Sequence, residues 1–121
     1  MTQEEKKDLL LKDLSARLPY GVKGIIPYNG DKDIFTVKGI FNILFLSDTE
    51  SCLIEDFQPY LFPLSSMTDE QENEYNNLNG YELGCFPHTE EALDYLIKNH
   101  FDYRGLIPMG LANDATGLNI Y

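Results

Sequence analysis

Residues 22–46 read VKGIIPYNGDKDIFTVKGIFNILFL, and this stretch decides the fold class. Val22 to Ile26 and Ile34 to Lys38 are short candidate strands. Between them, Asn29-Gly30 tolerates the positive φ of a tight turn. Phe35 and Val37 share one face, Gly39 breaks or bulges the run, and Phe41, Ile43 and Phe45 then alternate with Ile40, Asn42 and Leu44. The connections are too short for the crossovers that parallel strands require, so the stretch predicts an antiparallel meander and excludes a βαβ unit.

Upstream, the pattern is helical over 2–18. Thr2 and Glu5 have capping-box spacing, and Glu4 and Glu5 lie near the positive end of the dipole. Leu11, Leu14 and Leu18 recur on one face with Leu10 beside Leu14, while Lys6, Lys7, Asp8, Lys12 and Asp13 occupy the other. Pro19 bars the helical conformation of the residue before it, and Tyr20-Gly21 completes the exit.

Downstream, Asp48 to Ser51 is a polar turn and Cys52-Leu53-Ile54 a short strand. Pro59-Tyr60-Leu61-Phe62-Pro63-Leu64 is held extended by its prolines and is expected to cross the surface of the sheet. Thr68 and Gln71 form a second capping box before a short polar helix over 69–77. Gly80 to Phe86 reads as a last short strand. Thr89 caps a helix over 90–100, with Ala92, Leu93, Leu96 and Ile97 as its buried stripe and Lys98 and His100 at its negative end. Residues 101–111 are rich in turns, and nothing periodic follows Ala112. The expected architecture is a single α+β domain over residues 1–121, a small antiparallel β-meander packed against an N-terminal and a C-terminal helix.

A chain of 121 residues with 43% apolar side chains can close one core without metal or disulfide. No apolar run reaches the roughly 20 residues of a spanning helix, the N-terminus lacks the apolar stretch of a signal peptide, and the two cysteines form no paired motif. A cytoplasmic location with reduced thiols and no membrane contact is the expectation. The net charge of −11 is uneven: residues 1–46 are near neutral, whereas residues 68–100 hold eight carboxylates against Lys98 alone. That middle repels nucleic-acid phosphates, so direct nucleic-acid binding is not expected, and any charge-steered partner is a basic protein. A merely solvated face explains the same charge.

Candidate chemistry is sparse. Cys85 and His88, with Cys52 and His100, could supply four zinc ligands, or Cys85 a nucleophile with His88 or His100 as base, but no Cys-x-x-Cys anchors either idea. Asn29, Asp31 and Asp33 alternate like a calcium loop but lack its glycine and distant glutamate. Glu90, Glu91 and Asp94, or Glu72 and Glu74, fit solvated helix surfaces better than acid–base pairs. No nucleotide signature is present. The sequence therefore predicts no catalytic residue, no metal and no cofactor. The densest mixture of chemistry is His100-Phe101-Asp102-Tyr103-Arg104, which together with Tyr60 gives a candidate binding surface of Tyr60, His100, Asp102, Tyr103 and Arg104. The competing reading has Arg104 pairing with Asp102 or capping carbonyls while Phe101 and Tyr103 close the core.

Three blocks carry a resemblance: Lys6 to Lys23, with its Leu18-Pro19-Tyr20-Gly21 exit; Pro59 to Thr68; and His100 to Ile107, followed by Gly110-Leu111-Ala112. In this order they resemble a family of small uncharacterised proteins from gut Bacteroidetes genomes and their phages or prophages. The resemblance implies an accessory protein of a mobile element or phage. Joined to the motif survey, it predicts a non-enzymatic protein that binds another protein. An acidic mimic of nucleic acid that blocks a host DNA-binding protein or nuclease, and a small enzyme with a Cys/His site, are the other readings.

Overall fold

A computed structural model describes residues 2–27, 34–40, 43–46, 51–78 and 89–121. The expected Asn29-Gly30 turn, the Asp31/Asp33 pair, most of the turn at 48–51, the strand at 80–86 and the Cys85/His88 pair lie outside the described residues.

The fold is α+β, with helices near both ends of the chain and mostly antiparallel strands between them. Helix α1 (Gln3–Arg17) begins as its capping box predicts: the Thr2 hydroxyl accepts from the Glu5 N–H at 3.1 Å. It ends in a 3-10 turn over Leu18–Tyr20, closed by Gly21 at φ 70°. Its buried face is Leu10, Asp13, Leu14 and Arg17, which corrects the expectation that Asp13 faces solvent. Leu11 and Leu18 are only partly buried.

Strands β1 (Lys23–Ile25), β2 (Phe35–Thr36), β6 (Gln58–Leu61) and β7 (Asn113–Asp114) form one sheet in the order β2-β1-β6-β7. Strands β3 (Gly39–Ile40), β4 (Leu44–Phe45) and β5 (Ser51–Cys52) form a second, antiparallel meander. The single meander expected over 22–54 is thus divided between two sheets at Gly39. The segment at 59–64 does not cross a sheet surface; its first half is the internal strand β6. Gly24 pairs with Pro59 on one side, and Tyr60 and Leu61 pair in parallel with Asn113 and Asp114 on the other. Pro59 sits one residue outside the β7 ladder, which is why an internal strand tolerates its missing N–H. The tail beyond Ala112, read as structureless, supplies that parallel strand because the β6 edge offers it hydrogen-bonding groups.

One buried cluster joins Leu10 and Leu14 of α1 to Val22, Leu44, Phe57, Leu61 and Leu106. Each such side chain contributes about 1.5–3 kcal/mol on burial. The polar helix α2 (Asp69–Leu78) buries nothing, and the Thr68–Gln71 capping box forms reciprocally at 2.9 and 3.2 Å. Helix α3 (Glu90–Lys98) buries Ala92, Leu96 and Ile97 and stops short of His100. Among the described residues, no helix is long and apolar enough to cross a membrane.

Candidate functional site

The end of α3 organises the site. The His100 N–H donates to the Ile97 carbonyl at 3.1 Å and the Phe101 N–H to the Leu96 carbonyl at 2.8 Å. This is the Schellman pattern, in which the residue after the C-cap takes a left-handed conformation and is usually glycine. Here it is histidine, at φ 61°. A β-carbon at that position costs energy, so the ring that comes with it is held by its surroundings.

Those surroundings are specific. The His100 ring stacks on Tyr121 at 3.8 Å between centroids with a 14° tilt. The Tyr121 hydroxyl donates to the Tyr60 carbonyl at 2.8 Å and accepts from the Lys23 N–H at 2.7 Å, tying the C-terminal segment across β1 and β6. His100 is 5% exposed. Its Nδ1 is buried without a hydrogen-bond partner. Burial first, then the positive charge of Arg17, lowers its pKa to about 4. His100 is therefore a neutral ring, which corrects the expectation of a cation at the negative end of α3.

Below the ring lies a buried charge cluster. Asp13 Oδ2 accepts from Arg17 Nε at 2.9 Å, and Asp13 Oδ1 accepts from Arg104 Nε at 3.2 Å. Both Asp13 and Arg17 are fully buried. Arg17 also donates to the carbonyls of Phe101 at 2.5 Å and Ile97 at 3.5 Å, which clamps α1 to the end of α3. The Tyr103 ring lies 4.7 Å from the Arg104 guanidinium and 5.7 Å from that of Arg17.

His100, Tyr121 and their neighbours wall an open groove of about 760 Å³. Tyr20, Lys23, Phe62, Gln71, Lys98 and Asn99 also line it, drawing on segments far apart in sequence. Tyr20 and Tyr121 are 43% and 41% exposed, although the Tyr121 ring is packed against His100 and its hydroxyl is engaged by the strands below.

Of the five residues singled out from sequence, His100 lines this groove and the other four do not. Asp102 is buried, and its two carboxylate oxygens accept from the N–H groups of Leu106 and Ile107 at 2.8 and 2.9 Å, capping the turn that follows. Arg104 pairs with Asp13, not with Asp102. Tyr103 packs between the two arginines, with its hydroxyl buried. Tyr60 is half-buried on β6 and receives the Tyr121 hydroxyl on its carbonyl. Sequence reading missed Arg17 and Asp13, although their spacing with Leu10 and Leu14 follows the same i, i+3, i+4, i+7 rule as an apolar stripe. It also missed Tyr20 and Tyr121, for which no local pattern exists.

Cys52, a candidate metal ligand, is buried on β5 and its thiol is pushed up to about 11, mainly by burial. Among the described residues, no group of three or more His, Cys, Asp or Glu is placed to hold a metal ion. No protein-family model matches the chain, and no curated protein or solved structure does so either.

The buried neutral imidazole makes stability depend on pH in a defined direction. The folded-state pKa of His100, about 4, lies below its ordinary value of 6.5, so the unfolded chain binds the extra proton between them. The stabilisation is complete above the ordinary value and is lost as pH falls toward the folded one. The groups facing the ring are Arg17, Lys23, Tyr121 and the Tyr20 backbone. Urea unfolding is expected to show about 2 kcal/mol less stability at pH 5 than at pH 7.5 from this group. In the His100→Gly variant, which keeps the left-handed turn, that component disappears.

Proposed function

We propose that this chain is a non-enzymatic accessory protein of a mobile element or phage that acts by binding another protein. The groove beside His100 and Tyr121 is the seat of the contact. The observation that carries the reading is the groove itself, where two half-exposed tyrosines stand among hydrogen-bonding side chains. Exposed tyrosines in a concave polar setting are the usual anchors of protein contacts. The setting comes from the resemblance of the three sequence blocks. The overall charge of −11, with Asp69, Glu70, Glu72 and Glu74 on the exposed helix α2, steers a partner with a basic face toward this side of the molecule.

The test uses the tagged chain and its Tyr20→Ala variant as parallel baits in extracts of the native host. The Tyr20 side chain is exposed, so the variant should keep the thermal unfolding midpoint of the parent. A partner retained by the parent and lost by the variant is the expected result. A partner held equally by both would remove the groove from the contact.

A further inference from the structure

We propose that the groove receives a short, extended, acidic segment of the protein partner, with Lys98 and Lys23 holding its carboxylates. This rests on the reading that the chain acts by binding a protein, and names the chemistry of the segment that is bound.

Charge is the first argument. About one residue in six of the chain is Asp or Glu, yet among the described residues no Asp or Glu side chain lines the groove, while Lys23 and Lys98 do. Among the described residues, both ion pairs belong to Asp13, and neither groove lysine is in one. The Lys23 ammonium donates to the neutral Thr36 hydroxyl at 2.8 Å, which leaves it two further donors.

Behind the wall residue His100, which feels the charge of Arg17, two guanidinium groups share the single carboxylate of Asp13. After burial, the charge of Arg17 opposes protonation of His100 in the groove wall, while at Tyr121 burial dominates and Arg17 and Asp13 act in opposite directions. The acids of α2 are screened over about 8 Å at physiological salt, so they set the approach of the whole partner and not the chemistry inside the groove.

Shape and hydrogen bonding select a peptide. Ser66, Gln71, Asn99 and Thr116 each make one intramolecular hydrogen bond and keep further capacity for a main chain, the two hydroxyls as acceptors and the two amides as donors and acceptors, and Tyr20 offers an exposed ring for its side chains. A long polyanion such as a nucleic acid would run from the groove onto α2, whose Gln71 lines the groove and whose neighbours are Glu70 and Glu72. A segment with only two or three carboxylates avoids that repulsion. The implied partner has divided charge, a basic face for the acidic surface and an acidic tail or loop for the groove.

The experiment measures fluorescence anisotropy of the full chain with labelled octapeptides of Glu, Gly and Tyr. Their Glu→Gln and Glu→Lys counterparts and a single-stranded oligonucleotide serve as comparison probes. The acidic peptide is expected to bind at least tenfold more tightly than the Gln peptide, to weaken with added salt, and to lose at least tenfold in affinity against Lys98→Glu. The Glu90→Gln variant, outside the groove, should bind it unchanged. Equal binding of the acidic and Gln peptides, preference for the Lys peptide or the oligonucleotide, absence of binding, or an unchanged affinity in Lys98→Glu would each overturn the proposal. Failure here is separable from failure of the functional reading. A natural partner lost by Tyr20→Ala yet held by Lys98→Glu keeps the groove as the seat and removes its preference for acid.

Discussion

Asp13→Ala is expected to lower the stability of the fold by about 3–5 kcal/mol, a large share of the 5–15 kcal/mol typical of a domain. The cost does not come from a lost attraction alone. Arg17 is fully buried, so without Asp13 its guanidinium loses the carboxylate that pairs with it among the described residues. Two carbonyls, those of Phe101 and Ile97, would remain to solvate it. Arg104 would also be released and could turn to water, being partly exposed. Chemical denaturation of the single and double variants checks this. Asp13→Ala with Arg17→Met should recover much of the loss, because an apolar side chain of similar length needs no counter-ion. A double variant no better than Asp13→Ala would show that the cavity, and not the stranded charge, sets the cost.

Gly24→Ala should cost about 3 kcal/mol or more, through overpacking. The β-carbon would meet the Gln58 carbonyl oxygen and lie 2.5 Å from Cζ of the Phe57 ring. Neither can move cheaply. Gln58 belongs to the ladder between β1 and β6, and Phe57 is fully buried. The backbone conformation of Gly24 is not the reason for the glycine; the reason is the close approach of ring and strand. Phe57→Leu should restore part of the stability in the Gly24→Ala background by shortening the obstructing side chain, although it costs stability alone. Thermal or urea unfolding of the three variants reads the coupling, and simple additivity would show that the ring is not the obstacle.

What could be read from the sequence was local. The Thr2, Thr68 and Thr89 caps, and the helices behind them, are specified within four residues, and all three form. The alternation around Phe35 to Phe45 located extended structure, but the run read as one alternating stretch from Ile40 to Phe45 supplies two strands, β3 and β4, that pair antiparallel with each other. Strand partners are chosen by residues elsewhere, and this is where the reading failed: Gly24 finds Pro59, and Leu61 finds Asp114. Polarity misled in α1, where Asp13 and Arg17 look like surface residues until each is seen to neutralise the other at one helical turn. His100 drew attention for its chemistry, yet its backbone bears the unusual feature, a left-handed turn where a glycine would be ordinary. The groove has no sequence signature because its wall is assembled from the ends of α1 and α3, the sheet and the C-terminal segment.

The order β2-β1-β6-β7 also has a consequence for how the protein is made. As the chain leaves the ribosome, β6 can dock on β1 early, but its other edge waits for Asn113 and Asp114, which are synthesised after α3. Throughout that interval the nascent sheet exposes unpaired amide groups beside Phe57 and Leu61, and self-association competes with completion. Of the strands described in this sheet, the one that covers the second edge of β6 is therefore made after all the others.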